Sequence, residues 1–213
     1  MGVFIDDAKL FYAPIPKVAC TSIKHMFFEL ENDFTFQKFK ASSKGWHIHN
    51  FYPGSLREKY QEGRIKDYRR ITMVREPVKR FLSAYSNRVI FHNRANEKAV
   101  AGLGRFRKVT PNPELDEFID RFDRYMKIRD ISWHCRPMVD FVGSDPGYFH
   151  AVYGIQQMDE FIEDVSNTVG KQVEVGRLQT GGPKISPDVL TAKQREKIEN
   201  YYAADYKAYA QYF

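Results

Sequence analysis

One short segment of the chain combines a lysine with small and hydroxylated residues in a pattern suited to binding an anion. The segment is YAPIPKVACTSIK, residues 12–24, in which two prolines end an apolar run and a helical pattern follows. Small side chains let the backbone N–H groups at a helix N-terminus approach a phosphate, and hydroxyl groups add hydrogen-bond donors. Lys17 adds a positive charge, and the small and hydroxylated positions are Ala19, Cys20, Thr21 and Ser22. The segment therefore predicts a site for a phosphate-like group.

This segment differs from the phosphate-binding loop of ordinary ATP- and GTP-hydrolysing proteins. That loop reads GxxxxGK[ST], whereas residues 12–24 contain no glycine and Lys17 precedes the small residues. Ordinary nucleotide hydrolysis is therefore disfavoured. A plain strand–turn–helix corner with an exposed lysine is the alternative interpretation of the segment taken alone.

A second segment, ITMVREPVKRFLSAYSNR at residues 71–88, places an arginine directly before a predicted helix. Arg75 and Ser83 can together hold a second phosphate, through a guanidinium fork and a hydroxyl group. Arg80 and Asn87 share a helical face with Ser83 at spacings of three and four residues. That face fits either a binding site or a solvated polar surface.

The two segments resemble the two nucleotide-binding signatures of sulfotransferases that use 3'-phosphoadenosine 5'-phosphosulfate (PAPS), with the carbohydrate sulfotransferases of the sulfotransferase 2 type most similar. IPKVACTSIK resembles PKxAxTS, and VREPVKRFLSAY resembles RDPxxRxxSxY. The resemblance implies that Lys17 assists transfer and that Arg75 and Ser83 bind the 3'-phosphate. Glu76 replaces the family's Asp, a change expected to weaken a helix cap rather than a phosphate contact. The implied residues for the 5'-phosphosulfate are Lys17, Val18, Ala19, Cys20, Thr21 and Ser22.

Sulfuryl transfer to a hydroxyl group also needs a base for the acceptor proton. His47 and His49 in GWHIHNF lie two residues apart, so on an extended segment both would project from one face. The HIH pair resembles the HxH of uronyl 2-O-sulfotransferases, in which a histidine is the base. We rank His49 first, His47 second and His134, in SWHCRP, third. The pair could also bind a metal ion, but no further cluster with ligand spacing accompanies it, so no metal is predicted.

Hydrophobic spacing predicts the elements that must position these residues. Helical spacing appears around residues 23–30, 78–89, 115–126 and 158–169, with a last helix from about residue 191 to the C-terminus, and strands are predicted at 10–15, 70–74, 139–142, 149–155 and 173–178. Strands alternating with helices predict an α/β protein with a central, mainly parallel sheet flanked by helices. The resemblance implies the P-loop-like sulfotransferase fold. Residues 93–113 are predicted to form a long loop on the substrate side.

Composition limits the class of protein and its partners. With 213 residues and 43% hydrophobic residues, we expect one domain spanning residues 1–213. A net charge of +6 favours anionic partners, but no interleaved basic and aromatic repeat marks a nucleic-acid module. No apolar stretch approaches the roughly 20 residues of a membrane span. The two cysteines, Cys20 and Cys135, exclude a disulfide framework, and the expected compartment is a bacterial cytoplasm.

The sequence therefore predicts a PAPS-dependent sulfotransferase that acts on a hydroxyl group, expected to belong to a carbohydrate, and releases adenosine 3',5'-bisphosphate (PAP). An acidic glycan could contact Arg105, Arg107 and Lys108 of the long loop, although such a run is also typical of a solvated surface. The alternatives are a nucleotide or small-molecule kinase on a related P-loop fold, a basic nucleic-acid-binding protein, and a catalytically inactive sulfotransferase-like binding module.

Overall fold

The structure is a computed structural model that describes residues 2–104, 108–176 and 181–213. The strands in these ranges are β1 (Val3–Ile5), β2 (Leu10–Ala13), β3 (Phe39–Ala41), β4 (Lys44–Trp46), β5 (Arg69–Val74) and β6 (Ala151–Gly154). One sheet has the order β1-β2-β5-β6, with β1 antiparallel to β2 and the other two pairs parallel. The second sheet is the β3–β4 hairpin. The predicted α/β class with a mainly parallel central sheet is confirmed.

The helices in the described ranges are α1 (Cys20–Asn32), α2 (Ile48–Phe51), α3 (Glu62–Ile65), α4 (Pro77–Ala84), α5 (Glu97–Ala101), α6 (Leu115–Asp120), α7 (Phe122–Tyr125), α8 (Arg129–Cys135), α9 (Val139–Val142), α10 (Met158–Val169), α11 (Ala192–Tyr201) and α12 (Ala203–Tyr209). A π-helical turn, Tyr85–Phe91, follows α4 directly. Short 3-10 turns lie at Arg57–Lys59, Pro146–Tyr148, Pro187–Val189 and Ala210–Tyr212. In the part of the chain that the structure describes, no helix is long and apolar enough to cross a membrane.

Internal packing divides the chain into two compact units, each built from separate segments. Unit 1 contains Met1–Arg75, Met138–Gln179 and Gln211–Phe213, and unit 2 contains Glu76–Pro137 and Thr180–Ala210. The chain therefore passes from one unit to the other four times.

Unit 1 holds the four-stranded sheet with helices packed on it. Tyr12 of β2 is fully buried and stacks on Phe27 of α1, with their ring centroids 5.6 Å apart. The same ring packs edge to face with Phe161 of α10, at 5.7 Å. Burying a large side chain of this kind contributes about 1.5–3 kcal/mol, so these contacts fix both helices on the sheet.

Unit 2 is helical and has its own core. Phe81 of α4 packs against Phe118 of α6 and Phe122 of α7. Ile198 and Tyr202 belong to the same buried cluster. The cluster holds α4 rigidly in the unit, and α4 carries the serine of the second signature.

Three of the predicted strands, at residues 10–15, 70–74 and 149–155, correspond to β2, β5 and β6. The strand predicted at 139–142 is wrong, because these residues form helix α9. An apolar run of four residues does not distinguish a strand from a buried helical turn. Here Gly143, with a φ of 81° and a ψ of 177°, ends the turn in an extended conformation of positive φ that is open mainly to glycine. Of the strand predicted at 173–178, residues 173–176 are not a strand and the rest lies outside the described residues.

The helices predicted around 23–30 and 158–169 are α1 and α10. The pattern at 115–126 is interrupted, because the backbone of Arg121 leaves the helical region between α6 and α7. The last predicted helix is likewise broken at the buried Tyr202, between α11 and α12. The predicted long loop contains helix α5, whose N-cap Asn96 accepts a hydrogen bond from the Ala99 N–H. Arg105 and Arg107 lie outside the described residues.

Candidate functional site

The first signature forms the turn between β2 and α1, and we call residues 14–22 the anion turn. Two of its residues have left-handed backbone: Lys17 has a φ of 68° and Ala19 a φ of 47°. Conformations of this kind, placed among ordinary ones, point consecutive N–H groups into a concavity that suits an anion. Ala19 is also the N-cap of α1, and its methyl group cannot cap the first helical N–H groups. The anion turn therefore presents backbone donors at the positive end of a 13-residue helix.

The side chains of the anion turn differ in how far they can reach a ligand. Lys17, Cys20 and Thr21 are partly exposed, whereas Ser22 is only 8% exposed. Val18 is completely buried, so only its backbone can contact a bound group.

Arg75 connects the second signature to the anion turn. Because β2 and β5 are parallel, with Ala13 opposite Thr72, their carboxyl ends meet at one edge of the sheet. Arg75 follows β5 at this edge, and its Nη1 donates to the carbonyl oxygen of Lys17 at 3.2 Å. The structure thus places Arg75 beside the anion turn.

The HIH segment is helical rather than extended, which corrects the geometry expected from the sequence. His47 is the N-cap of α2, and Asn50 completes a capping box: its Oδ1 accepts from the His47 N–H at 2.9 Å. Ile48 is buried. His47 is exposed, whereas His49 is partly buried and points back to α1. The two histidines therefore have different surroundings, although they are two residues apart.

His49 contacts α1 through both of its ring nitrogens. Nε2 lies 3.1 Å from Oγ1 of Thr21, and Nδ1 lies 3.0 Å from Nζ of Lys24. Thr21 belongs to the anion turn, so the structure brings the first-ranked candidate base directly against the first signature. Burial lowers the pKa of the other histidine of the pair, His47, and the positive charges of Lys38 and Lys24 lower it further.

Lys24 is a residue that the sequence analysis did not single out. It is only 2% exposed, and burial lowers the pKa of its ammonium group. A signal for it was present: Lys24 is three residues after Thr21 and four before the buried Phe28, so it lies on the inner face of α1. Buried lysines are rare unless they are paired, so a lysine on the inner face of a helix indicates a side chain with a specific partner.

His134, the third-ranked base, lies in unit 2 and makes different contacts. Its Nδ1 donates to the carbonyl oxygen of Asp130 at 2.7 Å, and its Nε2 accepts from Nη2 of Arg88 at 2.6 Å. Burial lowers the pKa of His134, the hydrogen bond to Asp130 opposes this, and the charge of Arg88 adds to the lowering. In this arrangement His134 is neutral, and the lone pair that a base would use accepts from Arg88.

The polar face predicted on the second helix is largely internal. Arg80 is completely buried and donates to the carbonyl oxygens of His134, at 3.3 Å, and Arg136. Asn87 is 5% exposed and donates to the carbonyl oxygen of Gly181 at 3.2 Å. A solvated surface is therefore the wrong interpretation for both residues. Ser83, on the same face, is partly exposed.

Glu76 caps α4, contrary to the expectation that it weakens the cap. Its carboxylate accepts from the N–H groups of Val78 at 2.9 Å and Lys79 at 2.7 Å. The hydroxyl group of Tyr206 also donates to it. The longer side chain therefore reaches the same first-turn donors that an aspartate would reach.

Among the described residues, no group of three or more His, Cys, Asp and Glu side chains is placed to hold a metal ion. A family model described as "Sulfotransferase family" matches residues 3–212 of the chain. Comparison with curated proteins and with solved structures gave no match. The matched range includes the anion turn, the HIH segment and the whole second signature.

Proposed function

Because the chain belongs to the sulfotransferase family, we propose that this enzyme takes its sulfuryl group from PAPS and transfers it to a hydroxyl group of a carbohydrate. The observation that carries the proposal is the anion turn, with left-handed Lys17 and Ala19 at the start of α1 and with Arg75 hydrogen-bonded to it. Backbone donors, a lysine and an arginine at one sheet edge fit a nucleotide with two separate anionic groups.

In the proposed site, the anion turn binds the 5'-phosphosulfate. The backbone N–H groups at the N-terminus of α1 and the hydroxyl group of Thr21 donate to its oxygens. Lys17 stabilises the negative charge that develops on the leaving phosphate oxygen as transfer proceeds. When bound, PAPS supplies an activated sulfuryl group, so this chain needs no nucleophile of its own, and Cys20 serves as a small residue beside the phosphate.

Arg75 and Ser83 bind the 3'-phosphate in this proposal. The resemblance of VREPVKRFLSAY to the family's second signature supports both assignments. The contact of Arg75 with the Lys17 carbonyl places its guanidinium group beside the anion turn, which supports a role in binding the nucleotide but does not distinguish its phosphates. Val18 contributes backbone only, since its side chain is buried.

His49 is the proposed base. Its Nε2 lies 3.1 Å from Thr21 Oγ1, next to the turn proposed to hold the sulfate. His47 ranks second because it is exposed and caps α2. His134 ranks third because its Nε2 accepts from Arg88. The acceptor proton is removed by a neutral imidazole, for which histidine is suited near physiological pH.

The acceptor is proposed to be a carbohydrate, with an acidic glycan favoured by the net charge of +6. The likeness of HIH to the HxH of uronyl 2-O-sulfotransferases supports the same class. PAP is the nucleotide product. Neither Cys20 nor Cys135 forms a disulfide, which fits the reducing cytoplasm proposed as the compartment.

A thermal-shift titration tests the donor. A ligand that binds only the folded chain at 100 times its Kd adds about 2.7 kcal/mol of stability, so PAP should raise the Tm strongly and ATP should raise it little. Transfer of labelled sulfate from PAPS to a uronic-acid glycan, with a neutral glycan of equal length as control, tests the acceptor. Stabilisation by ATP and not by PAP would refute the proposed donor.

A further inference from the structure

Thr21, His49 and Lys24 form a continuous hydrogen-bonded chain in unit 1. The two outer residues are three apart on α1, so both lie on the side that faces α2. The ring of His49 bridges them, with Nε2 at Thr21 and Nδ1 at Lys24. The proposed base is thus joined to the anion turn at one nitrogen and to a buried amine at the other.

The protonation of Lys24 determines what His49 can do. An ammonium group has three donors and no acceptor, so a charged Lys24 donates to Nδ1 and leaves the imidazole proton on Nε2. His49 is then a donor toward Thr21, and its Nε2, which already carries the proton, has no lone pair with which to accept another. A neutral Lys24 amine accepts from Nδ1–H instead. Nε2 then carries the unprotonated lone pair that a base requires, and this lone pair accepts from the Thr21 hydroxyl group until the acceptor hydroxyl replaces it.

We propose that Lys24 and His49 act as one proton-accepting pair, in which Lys24 Nζ takes the Nδ1 proton of His49 while His49 Nε2 takes the proton of the acceptor hydroxyl. The inference rests on the proposed function, and Lys24 is a positioning residue that acts through His49. The acceptor oxygen forms its bond to sulfur, and the bond from sulfur to the bridging phosphate oxygen breaks. The proton from the acceptor ends on the pair, with Lys24 as ammonium, and is later lost to solvent.

The surroundings of the pair favour one proton rather than two. Lys24 is 2% exposed, and burial lowers its pKa, with Cys20 opposing that effect. The His47 ring lies 5.7 Å from the His49 ring, and Lys38 acts on His47 from the preceding segment. Strand β1, which also packs on α1, contributes only apolar side chains. A second positive charge on the pair would face these basic groups, so one proton on the pair is favoured over two.

Nitrogen NMR of the unmodified, PAP-bound protein tests the pair without any turnover. Histidine labelled with ¹⁵N reports which ring nitrogen carries the proton, and the spectrum of His49→Gln identifies the signals of His49. At the pH at which the enzyme is active, we expect Nδ1 to be protonated and Nε2 to be unprotonated. Protonation of Nε2 throughout that range would overturn the proposal. Because this readout needs no acceptor, it separates failure of the pair from failure of the proposed sulfation.

Three substitutions of Lys24 give the kinetic test. Glutamine can accept from Nδ1–H through its amide oxygen, methionine fills similar space without a hydrogen bond, and arginine can only donate. We expect Lys24→Gln to keep kcat within about tenfold, and Lys24→Met and Lys24→Arg to lose about 10²-fold or more. Lys193→Met, on the exposed side of α11, is the matched control.

Binding of PAP by each variant shows that the fold and the anion turn are intact. The acidic limb of the pH profile of kcat should move in Lys24→Gln, because one member of the pair no longer titrates. Activity in Lys24→Arg together with loss in Lys24→Gln would show that Lys24 serves as a fixed cation, and would overturn the proposal. Wild-type kcat and pH profile in Lys24→Met would overturn it equally. If Lys24→Met fails to bind PAP, the comparison of Gln with Arg decides.

Discussion

Lys17 combines a strained backbone with a charged side chain. A left-handed conformation costs a residue with a Cβ about 1–2 kcal/mol, and such costs persist where the surrounding structure imposes them. Lys17 has a φ of 68°, and its carbonyl oxygen accepts from Nη1 of Arg75, a contact that helps to hold this conformation. Alanine would adopt this conformation at a similar cost. Truncation of Lys17 therefore tests the charge with little change in the backbone.

Lys17→Ala is expected to lower kcat more than it lowers affinity for PAP. The proposed interaction strengthens as charge develops on the leaving oxygen, so it stabilises the transition state more than the bound donor. We expect a loss of about 10²–10³-fold in kcat and of less than about tenfold in the Kd of PAP, measured by single-turnover kinetics and calorimetry. Lys193→Ala is the control. An active variant whose defect is confined to the KM of the donor would contradict this role.

Arg75→Ala is expected to weaken the binding of PAP far more than the binding of adenosine 5'-phosphate, which lacks the 3'-phosphate. Loss of a hydrogen bond to a charged group costs about 1.5–3 kcal/mol, and only PAP makes that bond. Calorimetric titration of both nucleotides measures the difference. Because the variant also loses the bond to the Lys17 carbonyl, some loss of affinity for both is expected. An equal loss of affinity for the two nucleotides would contradict the assignment of Arg75 to the 3'-phosphate.

At the scale of elements, the start of α4 depends on one carboxylate. Glu76 accepts from two first-turn N–H groups that the helix cannot satisfy itself. Glu76→Ala should therefore lower the free energy of unfolding by about 1 kcal/mol, measured by urea denaturation. Glu76→Asp should lower it by less, since a shorter carboxylate can still cap. Glu196→Ala, at an exposed position of α11, is the control, and an equal effect there would show that Glu76 does not act as a cap.

The elements that sequence patterns predicted well are those with long apolar repeats. Helices α1 and α10 have apolar residues at helical spacing over about three turns, and β2 and β5 are short apolar runs, so their patterns are clear. The β3–β4 hairpin was missed because its turn is Ser42–Ser43, both with positive φ, where the usual signal is Asn-Gly. The residue types at this turn therefore did not indicate a hairpin.

The candidate site was predictable where it depends on local sequence and not where it depends on packing. Lys17 and Arg75 belong to motifs whose residue types are dictated by phosphate chemistry, so both were candidates from the sequence, although the hydrogen bond between them was not predicted. The partners of His49 come from a helix more than twenty residues earlier in the chain, so no spacing rule could pair His49 with Lys24. Arg80 was ambiguous for the same reason, because its burial depends on carbonyl groups of α8 and the residue after it.

At the scale of the whole molecule, each unit is assembled from separate stretches of chain. We therefore propose that residues 1–213 form one domain in the thermodynamic sense, since neither unit exists as a continuous segment. The two tryptophans report on the units separately: Trp46 lies in unit 1 and Trp133 in unit 2. Each of the variants Trp46→Phe and Trp133→Phe keeps one tryptophan, so its fluorescence reports on one unit. The urea midpoints measured by fluorescence in the two variants should be equal, and each should agree with the midpoint measured by circular dichroism.

Two distinct midpoints in that experiment would show that the units unfold independently. Each substitution is to be compared with the parent by circular dichroism, because it can shift overall stability. Trp46 stacks on Phe39, and phenylalanine preserves an aromatic ring at this contact.

The order of strands in the main sheet also has a consequence for synthesis of the protein. Strand β5 lies between β2 and β6, and its residue Val74 pairs with Gly154, which the ribosome adds much later. Until then, β5 has one edge without a neighbour, and the side chains of Ile71 and Met73, buried in the finished protein, lack part of their cover. Such edges pair with other chains and lead to aggregation. Slow translation, low temperature and chaperones that shield nascent chains should therefore increase the yield of folded enzyme.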